Sequence, residues 1–226
     1  MTRQRARWAA AAGLGLLLAS CGGSETGGLP TQQDLAAALL TAEDLGGEWL
    51  AVPDFASGIL SDEMRGEISL PDLCSAADAA AVEAAAGLEW QVGAAFSRGE
   101  APPNGYVPTL VELMLVGEPG DIASTFEALR RGLAACAGTD QVFEGEGTFR
   151  IEEVSLPGVG DDRIGLRYQQ TDAPANHVHF DMRPMLVRDG AVIMWLNETE
   201  ITRAAEPAVP VGELGDILTA AVENLP

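Results

Sequence analysis

Two long strand-like segments flank the dipeptide Asp189-Gly190, and this pairing constrains the fold more than any other sequence feature. Residues 177–188 and 191–202 are both rich in apolar residues. Asp-Gly is a combination that a two-residue hairpin turn favours, because both turn positions can require positive φ. The sequence therefore predicts a long antiparallel hairpin in which Glu200 lies opposite His179 and Glu198 lies opposite Asp181. A bulge at Pro184 is the alternative and would shift this register by one residue.

Further strands are predicted on both sides of the middle of the chain. Residues 89–97 and 106–116 are separated by a loop rich in Pro and Gly, which predicts a second hairpin. Later strands are indicated by Phe149, Ile151, Ile164, Leu166 and Tyr168. Because short loops join these strands, the sheet is predicted to be antiparallel.

Helices are predicted between and after the strands. The clearest, residues 121–136, starts with Asp121 as the expected N-cap and places apolar residues at alternating spacings of about four and three. Two others are predicted over residues 33–40 and 71–86, and a fourth closes the chain. The apolar faces of the clearest and the closing helix comprise Ile122, Phe126, Leu129, Leu133, Cys136, Leu214, Ile217, Leu218, Ala221 and Leu225. The predicted fold class is α+β: a single domain, residues 33–226, with an antiparallel β-sheet packed with α-helices.

The N-terminus has the pattern of a bacterial lipoprotein leader. Three Arg residues precede an apolar segment that is too short to span a bilayer, where about 20 residues are needed. The segment ends in Leu18-Ala19-Ser20-Cys21, which resembles the lipobox. Residues 1–20 are therefore predicted to be a signal peptide, Cys21 the lipidated residue, and residues 21–32 a flexible tether. We expect the mature protein to be anchored to the cell membrane, on its extracytoplasmic face, through the lipid on Cys21.

The charge of the chain argues against some partners. Thirteen basic residues face 34 acidic ones, for a formal net charge of -21. Loss of the leader removes three Arg and leaves ten basic residues against 34 acidic ones, a net charge of -24. Such a charge opposes binding to nucleic acid, whose phosphates are negative, so no nucleic-acid partner is expected.

Cys74 and Cys136 are the cysteines that remain in the mature chain. An even number of cysteines in an exported protein favours a disulfide. The alternative is two separate buried thiols. We predict one disulfide, with Cys136 on the buried face at the end of its helix and Cys74 on the helix over residues 71–86.

The order of these features resembles the PknH-like extracellular domain family. The resemblance lies in the segment 39–45, in Cys74, in the amphipathic helix ending at Cys136, in Gly160-Asp161-Asp162 and in the hairpin at residues 187–192. This family provides the sensor module of some receptor Ser/Thr kinases and also occurs on lipoproteins. The resemblance implies an antiparallel sheet packed with helices and a cleft for an extracellular ligand. Family members often carry two disulfides, whereas this chain can form one.

Both histidines of the chain lie on the first strand of the predicted long hairpin. His177, His179, Asp181 and Arg183 alternate along it and are therefore expected on one face of the sheet. The ordinary interpretation of such a pattern is a solvated face with cross-strand ion pairs. The four residues are also our candidate ligand-binding residues, as the polar lining of a cleft. Coordination of a divalent metal by this face, with Glu198 and Glu200, is a third alternative, and no metal or cofactor is assigned.

No catalytic motif is found. The sequence contains no nucleophile elbow, phosphate-binding loop, dinucleotide fingerprint or His-Glu-x-x-His. We therefore expect a non-catalytic, sensor-like or ligand-binding lipoprotein whose partner is a small ligand or an envelope protein. A carrier of lipid or glycolipid, which would need an apolar cavity, is the alternative, and a hydrolase with an unrecognised site is a third.

Overall fold

The computed structural model describes residues 28–46, 48–55, 58–61, 74, 76–99, 108–143, 147–172, 179–202 and 211–226. Its strands are β1 (Trp49–Ala51), β2 (Val92–Arg98), β3 (Thr109–Val116), β4 (Asp140–Phe143), β5 (Gly147–Val154), β6 (Asp162–Asp172), β7 (His179–Asp189) and β8 (Val192–Thr202). Its helices are α1 (Gln32–Ala38), α2 (Ala79–Ala86), α3 (Pro119–Cys136) and α4 (Val211–Glu223), with a 3-10 turn at Pro53–Phe55.

The strands form one eight-stranded antiparallel sheet in the order β1-β2-β3-β8-β7-β6-β5-β4. This arrangement confirms the predicted α+β fold class and both predicted hairpins. The predicted signal peptide, Cys21, most of the tether and His177 lie outside the described residues. Among the helices of the described ranges, none combines the length and apolar character needed to cross a bilayer.

Helices cover both faces of the sheet. On one face, which we call the α4 face, Leu35 of α1 and Leu218 of α4 share a core with alternate residues of the strands, such as Met194. On the opposite face, the α3 face, Phe126 of α3 packs with Trp195. Because successive strand residues point to opposite sides, Met194 and Trp195 serve different cores.

Helix α3 starts earlier than predicted, while its buried stripe is confirmed. It begins at Pro119, and Glu118 is the N-cap, without a side-chain capping bond. Proline suits the first turn because its fixed φ is already helical and no hydrogen bond is required of its nitrogen. This advantage explains why the helix begins before Asp121. Leu133 is partly buried, and the fully buried apolar members of the predicted stripe are Ile122, Phe126, Leu129 and Cys136.

The disulfide between Cys74 and Cys136 is present, with their Cα atoms 5.5 Å apart. Cys136 ends α3 as predicted, but Cys74 precedes α2 instead of lying on it. The side chain of Asp78 accepts a hydrogen bond from the Ala81 amide at 2.8 Å and sets the start of the helix at Ala79. The predicted start at residue 71 was therefore wrong.

The register of the long hairpin differs from the prediction. Asp189 pairs with Val192, so the two central turn residues are Gly190 and Ala191. Gly190 has a φ of +54°, which suits the first central position of a hairpin turn, and its amide donates a hydrogen bond to the carboxylate of Asp161 at 3.1 Å. Each residue of β7 consequently faces a partner two positions farther along β8 than predicted.

The new pairing changes the cross-strand partners but not the faces of the strands. His179 faces Thr202, Asp181 faces Glu200 and Arg183 faces Glu198. The register also runs through the pair Pro184–Asn197 without a shift, so the alternative with a bulge at Pro184 was wrong.

Candidate functional site

The predicted ligand-binding residues are only partly visible in the structure. His177 lies outside the described residues, and only the backbone of His179 is described, at the start of β7. Asp181 and Arg183 point to the α4 face, on the same side of β7 as the core residue Met185. The structure therefore brings Asp181 and Arg183 together on this face.

Asp181 and Arg183 belong to a set of interlocked charged side chains, which we call the charged cluster: Arg167, Asp181, Arg183, Glu198 and Glu200. Arg183 Nη1 donates to Glu198 Oε2 at 3.1 Å, and its Nε lies 3.5 Å from Asp181 Oδ1. Arg167 Nε in turn donates to both carboxylate oxygens of Asp181, at 3.1 and 3.0 Å. Three adjacent strands, β6, β7 and β8, thus hold one continuous ionic network.

The centre of the charged cluster is buried. The side chains of Arg183 and Glu198 are each only 3% exposed. A solvated face, which is the ordinary interpretation of the sequence, was therefore wrong for Arg183. Burial raises the pKa of the Glu198 carboxyl; Arg183 and Arg98 oppose this effect, and the charges of Glu200 and Asp181 add to it.

The cluster therefore presents fixed charges at defined positions, because each side chain is held by its neighbours. Because Arg183 and Glu198 are buried, these charges act on their surroundings through their electrostatic field and not through direct contact. Within the described ranges, no group of three or more His, Cys, Asp or Glu side chains is arranged to hold a metal ion.

A groove of about 390 Å³ lies near the cluster on the α4 face, and we call it the Trp49 groove. Trp49 of β1 is buried in its wall, and the guanidinium of Arg98 lies over the Trp49 ring, 5.3 Å from the ring centroid. Arg98 Nε is also 3.5 Å from a carboxylate oxygen of Glu48. The groove is lined by Asp44, Leu45, Gly46, Glu48, Trp49, Arg98, Asp216 and Ile217.

A turn closed by side-chain hydrogen bonds forms one wall of the Trp49 groove. The amide and the hydroxyl of Thr41 both donate to the Asp44 carboxylate, at 2.8 and 2.7 Å, which closes the turn that follows α1. Arg98 connects this groove with the charged cluster, since it lines the groove and its charge also acts on Glu198. Arg98 is therefore the side chain that links the groove with the electrostatics of Glu198.

A second groove, of about 300 Å³, lies between α1 and the β1–β2 edge of the sheet, and we call it the apolar groove. Its lining is mainly apolar and includes Ala37, Leu39, Leu40, Ala94 and Phe96. The turn after α1 separates the two grooves, because Thr41 and Ala42 line the apolar groove whereas Asp44 and Leu45 line the other.

Neither Arg98 nor Trp49 is among the candidate site residues that the sequence pattern indicates. Trp49 lies on the short edge strand β1 and pairs with Arg98 of β2, which is distant in the chain. The sequence signal nearest to this groove is the segment 39–45 of the family resemblance, which ends four positions before Trp49 and contributes Asp44 and Leu45 to the groove wall.

The chain resembles solved structures in fold, although its sequence matches no protein family model and no curated protein. The extracellular domain of PknH from Mycobacterium tuberculosis aligns at 13% identity over 88% of this chain and 97% of that one, with a TM-score of 0.52. A putative uncharacterized protein (Rv0999 ortholog) from Mycobacterium smegmatis aligns at 12% identity over 86% and 99%, with a TM-score of 0.48. The first likeness confirms the fold that the family resemblance implied.

Proposed function

We propose that this chain, which has the fold of the PknH extracellular domain, is a lipid-anchored, sensor-like or ligand-binding protein of the extracytoplasmic face of the cell membrane. The leader pattern that ends at Cys21 supports the anchor. The fold supports an extracytoplasmic binding role by analogy with that extracellular domain. The observation that carries the proposal is the Trp49 groove with the buried charged cluster beside it.

The Trp49 groove suits a small polar ligand. Its volume of about 390 Å³ lies at the lower end of the range for small-molecule sites, which is roughly 300–1,000 Å³. Apolar side chains, Leu45 and Ile217, lie in its wall together with the carboxylates of Asp44 and Asp216. Such a lining binds a ligand through apolar contact and orients it through a few polar groups.

The charged groups support binding rather than catalysis. Arg183 and Glu198 are held in a buried ion pair, and Asp181 is held by Arg167. Groups locked in mutual pairs fix the shape and potential of a site, whereas acid–base catalysis needs a group within reach of the reacting proton. We therefore propose no catalytic activity, and a mode of action in which the protein binds a small ligand or contacts an envelope protein.

The proposal is tested by blocking the Trp49 groove. Asp216 is exposed at the groove, so Asp216→Trp places a bulky ring there at little expected cost to the core. Glu223→Trp is the matched control, since Glu223 is exposed on the same helix, outside the groove lining. Native mass spectrometry of the mature protein purified from its own envelope should show bound small-molecule mass in wild type and Glu223→Trp only. Retention of that mass in Asp216→Trp, or its absence from wild type, would contradict the proposal.

The apolar groove favours a second candidate function, a carrier of lipid or glycolipid. Ala37 is exposed and lines this groove, so Ala37→Trp should fill it without altering the Trp49 groove. A carrier is expected to bind a pyrene-labelled fatty acid, and Ala37→Trp is expected to lose this binding while Asp216→Trp keeps it. Absence of fatty-acid binding in wild type would leave the sensor-like function as the one supported.

A further inference from the structure

Glu112 is a buried acidic residue that the proposed ligand site does not use. It lies on β3, on the α4 face, and its side chain is 0% exposed. Its cross-strand neighbours are Ala94 on β2 and Leu196 on β8, and Leu110 and Met114 flank it along the strand. All four neighbours are buried in the core of that face. A carboxyl group in such surroundings has lost its hydration and needs a compensating partner.

The partner of Glu112 is the backbone just after α1. Glu112 Oε2 accepts a hydrogen bond from the Leu40 amide at 2.7 Å. Leu40 lies two residues beyond the last residue of α1, where the chain enters the turn that separates the two grooves. Glu112 Oε1 has no hydrogen-bond partner among the described residues. Glu112 therefore adds a buried polar contact between the sheet and the segment 32–46, whose Leu35 and Leu40 also pack in the core of that face and whose Gln32 Nε2 donates to the Gln91 carbonyl oxygen at 2.9 Å.

No described basic side chain forms an ion pair with Glu112. The side chains of Arg98 and Arg183 lie on the same face of the sheet as Glu112, but Arg98 contacts Glu48 and Arg183 contacts Glu198. The other charged side chains on the elements around Glu112 are acidic: Asp34, Glu43, Asp44, Glu198, Glu200, Asp216 and Glu223. The ionised carboxylate is thus opposed by its surroundings, and the neutral carboxylic acid is favoured.

The resulting shift in the pKa of Glu112 is large. Burial raises the pKa of Glu112 from an ordinary value of 4.5 to about 8; the Leu40 amide opposes this shift and the charge of Asp44 adds to it. When the segment 32–46 leaves the sheet, the carboxyl regains water and titrates near its ordinary value. Between these two pKa values, opening releases a proton, so rising pH favours the open form and falling pH favours the closed form.

We infer that Glu112 is a pH-sensitive latch, which holds the segment 32–46 on the sheet in acid and releases it as the pH rises. The segment contributes a wall to both grooves, so its release alters the place where we propose that ligand binds. It also follows directly on the predicted tether, so the latch lies where the domain joins its proposed anchor. The functional consequence rests on the proposed function, whereas the latch itself is a property of the unliganded protein.

The latch is tested by hydrogen exchange of the unliganded protein at several pH values, with correction for the intrinsic exchange rates. A one-proton linkage changes the closed-to-open ratio by about tenfold per pH unit. In wild type, protection of amides in residues 32–46 should therefore fall by roughly 100-fold between pH 5.5 and 7.5. Glu112→Gln keeps the acceptor for the Leu40 amide but cannot ionise, so its protection should not change with pH. Glu83→Gln, an exposed change on α2, should behave as wild type.

Two outcomes would overturn the latch. One is equal pH dependence in wild type and Glu112→Gln. The other is a segment 32–46 that exchanges only together with α3, since opening would then be global unfolding. If Glu112→Gln does not fold, the chemical shift of the Leu40 amide in wild type replaces it. This shift should titrate with a midpoint near 8, and a midpoint close to 4.5 would refute the latch. Since no ligand is needed, failure of the latch and failure of the proposed binding function remain distinguishable.

Discussion

Arg183 and Glu198 form a buried, oppositely charged cross-strand pair on the α4 face. Both side chains alternate with core residues along long strands, and both are almost entirely buried. Two charges removed from water are tolerated only when they pair closely, because desolvation of each costs several kcal/mol. The 3.1 Å contact between them, supported by Asp181, meets this requirement. At the residue scale, the α4 face is therefore specified by matched charges as well as by apolar packing.

Arg183→Met should destabilise the domain by about 3–5 kcal/mol, because it leaves the Glu198 carboxylate buried without its partner. The double variant Arg183→Met with Glu198→Gln should recover part of this loss. Arg150→Met is a suitable control, since Arg150 pairs with Asp140 on the exposed edge and should contribute little. Urea unfolding of the four proteins measures these differences. An unaltered stability of Arg183→Met would show that the buried pair does not support the fold.

At the scale of elements, the long hairpin is held from outside its own turn. Arg188 of β7 donates to Asp161 and Asp162 at the start of β6, at 2.9 and 2.6 Å, and Asp161 also accepts the Gly190 amide. The sequence Gly160-Asp161-Asp162 thus clamps the hairpin of residues 187–192. The segment 160–162 and the hairpin at residues 187–192, which are separate features in the sequence, are therefore joined by hydrogen bonds in the structure.

Glycine is needed at residues 190 and 160 of these two segments, for different reasons. Gly190 has a φ of +54°, and an added Cβ would meet no atom within 4 Å. Gly190→Ala should therefore cost only the conformational strain, about 1–2 kcal/mol, and Gly190→Val about 1–3 kcal/mol. At Gly160, with a φ of +65°, the Cβ would lie 2.5 Å from Val187 Cγ1 and 2.8 Å from the Arg188 carbonyl oxygen. Gly160→Ala should consequently cost more than Gly190→Ala in thermal unfolding, and equal costs would contradict this assignment.

At the scale of the whole molecule, the disulfide joins α3 to a distant part of the chain. Cys74 and Cys136 are 62 positions apart, and both are buried. In the loop-entropy description, a cross-link of this span stabilises the folded domain by about 4 kcal/mol. The disulfide therefore adds to the free energy of unfolding a contribution that is separate from side-chain packing.

Replacing both cysteines by Ser should lower the free energy of unfolding by about 4 kcal/mol, because the unfolded chain regains its freedom. Chemical denaturation of the oxidised wild type, the reduced wild type and the double variant provides the comparison. The reduced protein should match the variant. Alkylation of both thiols in the exported protein without reductant would instead show that the bond does not form in the cell.

The anchor is also tested on the whole protein. Cys21→Ala removes the thiol that we expect to carry the lipid, so the variant should lack acyl mass and leave the membrane fraction. Ser24→Ala, a change in the predicted tether, should remain lipidated. Intact-protein mass spectrometry after membrane fractionation measures both properties. Acyl mass that persists in Cys21→Ala would refute Cys21 as the lipidated residue.

The sequence by itself determined the fold class, the two hairpins, the buried stripe of α3 and the identity of the two paired cysteines. The first three features follow from local periodicity and from turn residues that act within a few positions, and the cysteine pair follows from the even number of cysteines in the mature chain. Glu112 also carried a local signal, since it interrupts the apolar alternation between Leu110 and Met114.

Only the tertiary structure decided the register of the long hairpin, because a slide by two residues keeps every side chain on the same face and leaves the apolar pattern unchanged. The burial of Arg183 and the bond between Glu112 and Leu40 were decided in the same way. Their partners come from other strands or from a helix end far along the chain, so the contacts exist only once the sheet and the helices have packed.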